Sequence, residues 1–313
     1  MSGLGGQPVQ DQAPPEGERS SALPVWMLVL IAALVLALTG AVVLIVTNEG
    51  TAKATRSYPD HWDSRIAPYV KIAEKERGLT FLHPVEVRFL PAAEYEKDMR
   101  IDEEELDEED RAEFEQFAGL LRALGLITGD VDIFDAMNDF YGSGTLAYYS
   151  FKDERITVRG ETVTPAVRAT LVHELTHVLQ DQHFRVGDKL KELSKESEDG
   201  ERTSAGDVLD AIVEGDAERI EDLYRDSLTA KQRKALDAAR DEETDQARKQ
   251  LKQIPKVLLT MLSSPYTLGQ GLVETVAADG GNGAVDDLFY DAPTHETSLL
   301  DPLEVLAGDT DAV

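Results

Sequence analysis

Residues 173–177 read His-Glu-Leu-Thr-His. On a helix, positions i and i+4 share one face, so His173 and His177 can offer two imidazoles to one metal ion. Glu174 follows the first histidine, where a carboxylate can take a proton from a water that the metal activates. The pattern points to metal-assisted hydrolysis. The chain has no cysteine, which excludes thiolate ligands, disulfides and cysteine nucleophiles. Any metal must be held by histidine and carboxylate.

These residues need a helix, and the flanking sequence predicts one. Thr164-Pro165 reads as an N-cap followed by proline at the first helical position. Ala166, Val167, Ala169, Leu171, Val172, Leu175, Val178 and Leu179 place apolar groups round most of the cylinder, which predicts a buried helix. Two histidines and a glutamate in such a helix need polar or metal partners, because unpaired polar groups in a core are costly.

A catalytic zinc takes three protein ligands and keeps a fourth position open. His183 stands at the spacing of an H-E-x-x-H-x-x-G-x-x-H site. That arrangement needs a glycine to break the helix, but position 180 is glutamine, so His183 is the alternative ligand. Glu214 is the stronger candidate, on the next apolar-periodic segment, where a second helix packed against the first could aim it at the metal. Gly215 inside a helix costs about 1 kcal/mol relative to alanine, which a close approach of these two helices would explain. Glu218, one turn further, could accept a hydrogen bond from a ligand imidazole and fix its tautomer. Asp181 is assigned the same supporting role. A further donor should face the oxyanion of the reaction; His295 and Tyr290 are candidates, as are Tyr266 and Tyr224.

The stretch HELTHVLQDQHF followed by VEGDAE resembles the gluzincin branch of zinc metallopeptidases, which share the thermolysin-like core. It is most similar to little-characterised bacterial members with a HELTH-type helix and a downstream E-G-x-A segment. The resemblance covers about residues 140–305. It implies that His173, His177 and Glu214 bind zinc, that Glu174 is the general base, and that the hairpin before the helix pairs with a peptide or protein substrate. Glu214-Gly215-Asp216-Ala217-Glu218 departs from the N-E-x-x-x-D pattern of thermolysin itself. The implied fold is α+β and mostly helical, a zincin-like core with a small antiparallel sheet or hairpin beside the motif helix. The alternative is a non-catalytic or degenerate zincin-like domain that binds envelope proteins.

Other elements follow from periodicity. Residues 60–77 read as a helix whose start Pro68 delays or kinks. Residues 85–90 alternate as a strand, and 146–151 with 155–159 as a hairpin. Residues 103–124 read as a long helix with an acidic start, 185–201 as a loop or short helix, and 204–227 as a long helix capped by Ser204. Helices are also predicted over 231–253, near 267–278 and over 283–290.

The first 23 residues lack any apolar period and read as a disordered tail. Residues 24–47 are expected to form one transmembrane helix: residues 20–48 carry no charge, and the 23 almost wholly apolar residues of 25–47 span roughly 34 Å. A linker over 48–58 leads to one domain over 59–313. The net charge of −29 argues against nucleic-acid partners. The expected setting is a single-pass membrane protein with its hydrolase domain on the extracytoplasmic side.

Overall fold

The computed structural model describes residues 57–101, 106, 108–198 and 204–308. The expected tail, transmembrane helix and nearly all of the linker lie outside the described residues. Among the described residues no helix is long and apolar enough to cross a membrane.

In chain order the elements are α1 (Ala67–Arg77), β1 (Glu86–Leu90), α2 (Ala92–Met99), α3 (Glu108–Ala123), α4 (Ile133–Gly144), β2 (Ala147–Ser150) and β3 (Arg155–Arg159). Then come α5 (Pro165–Phe184), α6 (Val186–Glu198), α7 (Ala205–Ser227), α8 (Ala230–Gln250), α9 (Lys256–Leu262), α10 (Ser264–Tyr290), α11 (Thr297–Leu300) and α12 (Pro302–Leu306). The molecule is mostly helical with one small sheet, and β3 is its central strand.

The expected antiparallel sheet is in fact mixed. β2 and β3 form the predicted antiparallel hairpin, with Tyr149 opposite Ile156. β1 lies parallel to β3 on the other side, with Val87 opposite Ile156. A parallel pair needs a crossover, and α2, α3 and α4 provide it between β1 and the hairpin.

Helix α5 carries the motif. The Thr164 hydroxyl oxygen accepts from the Val167 N–H at 3.2 Å, so the predicted cap forms. One side of α5 (Leu171, Leu175, Val178, Leu179) packs on Ala147, Ile156 and Val158 of the hairpin and on Ile66, Val70 and Ala73 near α1. Another side (Ala169, Val172) meets Ile220 and Tyr224 of α7 and Leu236 of α8. A helix wedged between two layers must be apolar nearly all round, as the sequence requires. It runs unbroken past Gln180 and ends only at Arg185, which takes a left-handed conformation at φ 57°.

Several predicted bounds shift. Pro68 sits in the first turn of α1, so that helix starts at Ala67 and not at residue 60. Residues 186–198 form a full helix, α6, with the Asp181 carboxylate accepting from the Gly187 N–H at its start (3.0 Å). Ser204 precedes α7, but its hydroxyl donates to the Thr294 carbonyl rather than capping that helix. The two helices expected near 267–278 and over 283–290 are both present within α10, which leaves helical geometry between them at Gly281, where φ is 66° and ψ −159°.

The close approach signalled by Gly215 is real, but its partner is α10 and not α5. A Cβ on Gly215 would lie 2.1 Å from the Gly269 carbonyl carbon, and one on Gly269 would lie 1.7 Å from the Ala211 oxygen. The two helices therefore cross backbone to backbone. A separate apolar cluster joins Phe114, Phe117 and Leu121 of α3, Phe134 and Met137 of α4, and Leu258, Met261 and Leu262 of α9.

Candidate metal centre

His173 and His177 lie one turn apart on α5, with ring centroids 4.7 Å apart. Across from them, α7 contributes Glu214. Its Oε2 is 3.2 Å from His173 Nε2 and 3.6 Å from His177 Nε2. Ligand atoms from all three residues fall within 4.8 Å of one another. A tetrahedral ion with bonds of about 2.0–2.1 Å needs its ligand atoms about 3.4 Å apart, so this group is close enough to hold a metal ion.

The far side of each ring is also held. His177 Nδ1 faces Gln180 Oε1 at 2.9 Å. An amide oxygen can only accept, so Nδ1 carries a proton, and Nε2, beside Glu214, is the nitrogen left to meet a metal. The Gln180 amide nitrogen donates to the Val213 carbonyl (3.0 Å) and to Asp216 Oδ2 (3.1 Å). Asp216 is fully buried and also accepts from Arg77 Nε at 2.6 Å and from Arg219 at 2.9 Å. Arg77, equally buried, pairs with Asp286 as well, at 2.7 Å. His173 Nδ1 instead faces Glu221 at 3.7 Å and Glu218 at 3.9 Å. Glu221 in turn forms an ion pair with Arg240 of α8.

Burial and charge act against each other here. Burial pushes the His173 imidazole down, but the Glu214 hydrogen bond and the charges of Glu174, Glu214 and Glu218 outweigh it and raise the pKa to about 9. His177 is raised by the same contest, with Glu214 again the main counterweight. Burial would raise Glu214, yet the two histidines hold it well below the usual carboxylate range. Glu174 goes up to about 7, because burial prevails over the attraction of His173 and His177. The backbone N–H of Tyr149, on β2, hydrogen-bonds to the Glu174 carboxylate.

The centre opens onto a cavity of about 450 Å³ lined by, among others, His173, Glu174, Glu218, Arg240, Tyr141 and Tyr266. It therefore combines three metal-ligating atoms, a carboxylate near neutrality and room for a ligand of several residues' size. That combination can bind a metal beside a proton acceptor.

The remaining expectations sort by position. His183 does not join the group: α5 continues through it, and its Nε2 bonds to the Thr80 carbonyl at 2.8 Å. Asp181 does not support a histidine either. Its carboxylate accepts from the Tyr149 hydroxyl (2.9 Å) and the Gly187 N–H, because a side chain four residues after His177 points to the hairpin. Gln180, three residues after His177, points to α7 and takes the role instead. Glu218 does approach His173, though Glu221 is nearer. His295 is exposed, and its carbonyl accepts from the Ser298 N–H, away from the cavity lining. Tyr290 is exposed against Phe184, and Tyr224 packs edge-on to Tyr69. Of the four expected donors, only Tyr266 lines the cavity.

Gln180, Glu221 and Tyr141 were not singled out from sequence. Glu221 had a signal: positions 214, 218 and 221 share a helix face. Tyr141 had none, since only the packing of α4 brings it here. No protein-family model, no curated protein and no solved structure matches this chain.

Proposed function

We propose that this protein is a membrane-anchored, zinc-dependent metallopeptidase of the gluzincin type, with its hydrolytic domain on the extracytoplasmic side. The observation that carries the proposal is the convergence of His173, His177 and Glu214 from two helices beside the buried, unligated Glu174. Two imidazoles and one carboxylate form a donor set suited to zinc. Binding alone would not need a base beside the metal, and Glu174 is one whose pKa of about 7 suits proton transfer near neutrality.

When bound, zinc supplies Lewis-acid polarisation of a carbonyl and lowers the pKa of a water. His173, His177 and Glu214 hold it, with Gln180 fixing the His177 tautomer. Glu174 takes a proton from the attacking water and hands it to the leaving nitrogen. The Tyr149 N–H keeps the Glu174 carboxylate beside the edge strand β2. The cavity admits the peptide and limits the bulk water around the base.

The test uses the full-length protein in detergent against a diverse peptide library, wild type beside Glu174→Gln. The amide keeps the shape but cannot act as a base. The variant should keep its zinc and its Tm while turnover falls by at least about a hundredfold. A chelator should abolish wild-type turnover and added zinc restore it. A zinc-loaded wild type that cleaves no peptide would favour the non-catalytic domain that binds envelope proteins.

A further inference from the structure

The exposed apolar side chains of this protein are not spread evenly. Among the described residues the three most exposed large ones are Tyr290 (68%), Leu303 (67%) and Leu82 (64%). All three gather at the end of the molecule where α5 stops. Leu82 is fixed there by its backbone N–H, which donates to the Gln182 side-chain oxygen at 2.7 Å. Tyr290 lies edge-on to Phe184, the last residue of α5, with ring centroids 5.2 Å apart. Leu303 is on α12 beside Val305, which packs on the apolar cluster that holds Phe184, Phe289 and Leu299. Helix α7 runs antiparallel to α5, since His173 faces Glu221 while Gln180 reaches Val213. The start of α7 is therefore at this same end, and there the Ser204 hydroxyl donates to the Thr294 carbonyl, just before α11 and α12. Exposed apolar residues scattered singly need no explanation, but a gathered set marks an interaction surface.

The chain also enters the domain at this end. Tyr58 stacks on His83 with ring centroids 3.5 Å apart, and the Gln182 amide donates to the His83 carbonyl at 2.9 Å. The apolar run expected to cross the membrane ends at residue 47, so only residues 48–57 separate it from Tyr58. Such a stretch reaches at most about 35 Å when fully extended. The bilayer can be no further than that from the side of the domain where the apolar groups stand out. Charge does not draw this end to the membrane. Asp291 and Asp301 are exposed here, and Arg185 is paired with Asp188 at 2.6 Å. An anionic lipid surface would gain little from it. Leucine and tyrosine side chains instead suit the interface of a neutral bilayer.

We propose that this end of the domain seats on the bilayer in which its own chain is anchored, with Leu82, Tyr290 and Leu303 in the lipid interface. The inference rests on the membrane-anchored reading above and not on the peptidase reading. Its consequence for function runs along α5. His173 stands eleven residues before Phe184 on an unbroken helix, about 16 Å along the axis. The residues of α5 on the cavity wall, Ala166, Thr170, His173 and Glu174, all belong to the half away from the seat. Seating therefore turns the cavity to the aqueous side and lifts it clear of the headgroups. The substrates it can reach are chain segments that stand off the membrane, not membrane-embedded ones.

The experiment uses the full-length protein in phosphatidylcholine vesicles. The chain has no cysteine, so a single engineered one carries a spin label at a chosen site. Leu82→Cys and Leu303→Cys label the proposed seat. Leu124→Cys, at an exposed position just after α3, labels a surface elsewhere. All three positions are exposed, so Tm should not change. Each label is relaxed by oxygen, which enters lipid, and by a nickel chelate, which stays in water. The ratio of oxygen to chelate relaxation should be about tenfold higher at 82 and 303 than at 124, because hydrocarbon excludes the polar chelate. Leu82→Glu combined with Leu303→Glu should unseat the domain, so that a label at Tyr290→Cys drops to the ratio found at 124, with zinc content unchanged. If the labels at 82 and 303 match the one at 124, that end stands free in water and the proposal is overturned. If they are shielded from oxygen and chelate alike, a second copy or another protein covers the patch, and the bilayer is not its occupant. If the full-length protein does not float with the vesicles, the membrane-anchored reading itself fails and the seat falls with it. None of these results depends on whether the protein cleaves a peptide.

Discussion

The two histidines stand four residues apart on one helix, yet their surroundings are opposites. Behind His177, a chain of hydrogen bonds and ion pairs runs through Gln180, Asp216, Arg77 and Asp286 and ties α5, α7, α1 and α10 together. Arg77 and Asp216 are wholly buried. Around His173 the supports are looser: Glu221 and Glu218 stand 3.7 and 3.9 Å away, and Arg240 is partly exposed on the cavity wall. The difference separates two tasks. The rear of the centre sets the geometry of the metal group and belongs to the core. The front faces the cavity and can follow the ligand.

The largest effect should come from cutting the rear network at its base. Arg77→Met removes the cation shared by Asp216 and Asp286 and leaves a wholly buried carboxylate without it. Loss of one partner of a buried pair costs about 3–5 kcal/mol. Chemical denaturation should show a loss on that scale, with zinc binding lost in parallel. A fall under about 1 kcal/mol would mean that the rear is no more rigid than the front.

Next comes the direct comparison of supports. Gln180→Leu strips His177 of the group that fixes its tautomer, and should weaken zinc by about 10–100-fold. Glu221→Leu removes a more distant partner of His173 from a solvent-facing wall, and should weaken zinc by less than about tenfold. Competition with a chelator measures both. The reverse ranking would overturn the division into a firm rear and an adaptable front.

A smaller effect concerns protons. In the metal-free protein the His173 pKa lies above its unfolded value, at about 9. Its contact with Glu214 therefore contributes stability fully below about pH 6.5, lost as pH rises through about 9. Zinc competes for the same nitrogen, so metal affinity has the opposite dependence and should rise over that window. Zinc added at pH 7 to lightly buffered protein should release about one proton or more per ion bound. Release of none would mean that the imidazoles are already neutral and free.

What could be read from the sequence was what is encoded locally. The Thr164 cap, the all-round apolar α5, the hairpin and the shared face of His173 and His177 each follow from residues a few positions apart. Glu214 was within reach because its helix period and its glycine marked it. The rest depended on contacts between elements distant in the chain. β1 adds to the sheet in parallel only because three helices cross over between it and the hairpin. Gly215 announced a close approach without naming the partner, and Gly269 lies in a helix far along the chain. Asp181 and Gln180 are adjacent, and only the positions of the hairpin and α7 decide which of them serves His177. His295, attractive as a residue type, sits in an exposed segment that the packing turns away from the cavity.

The most direct test is the zinc stoichiometry of the full-length protein, loaded with metal, dialysed and assayed by elemental analysis beside His173→Ala, His177→Ala and Glu214→Gln. Wild type should retain about one zinc per chain, the histidine variants essentially none, and Glu214→Gln far less than wild type. No stoichiometric metal in wild type, or a full complement that survives loss of both histidines, would contradict the assignment of this centre.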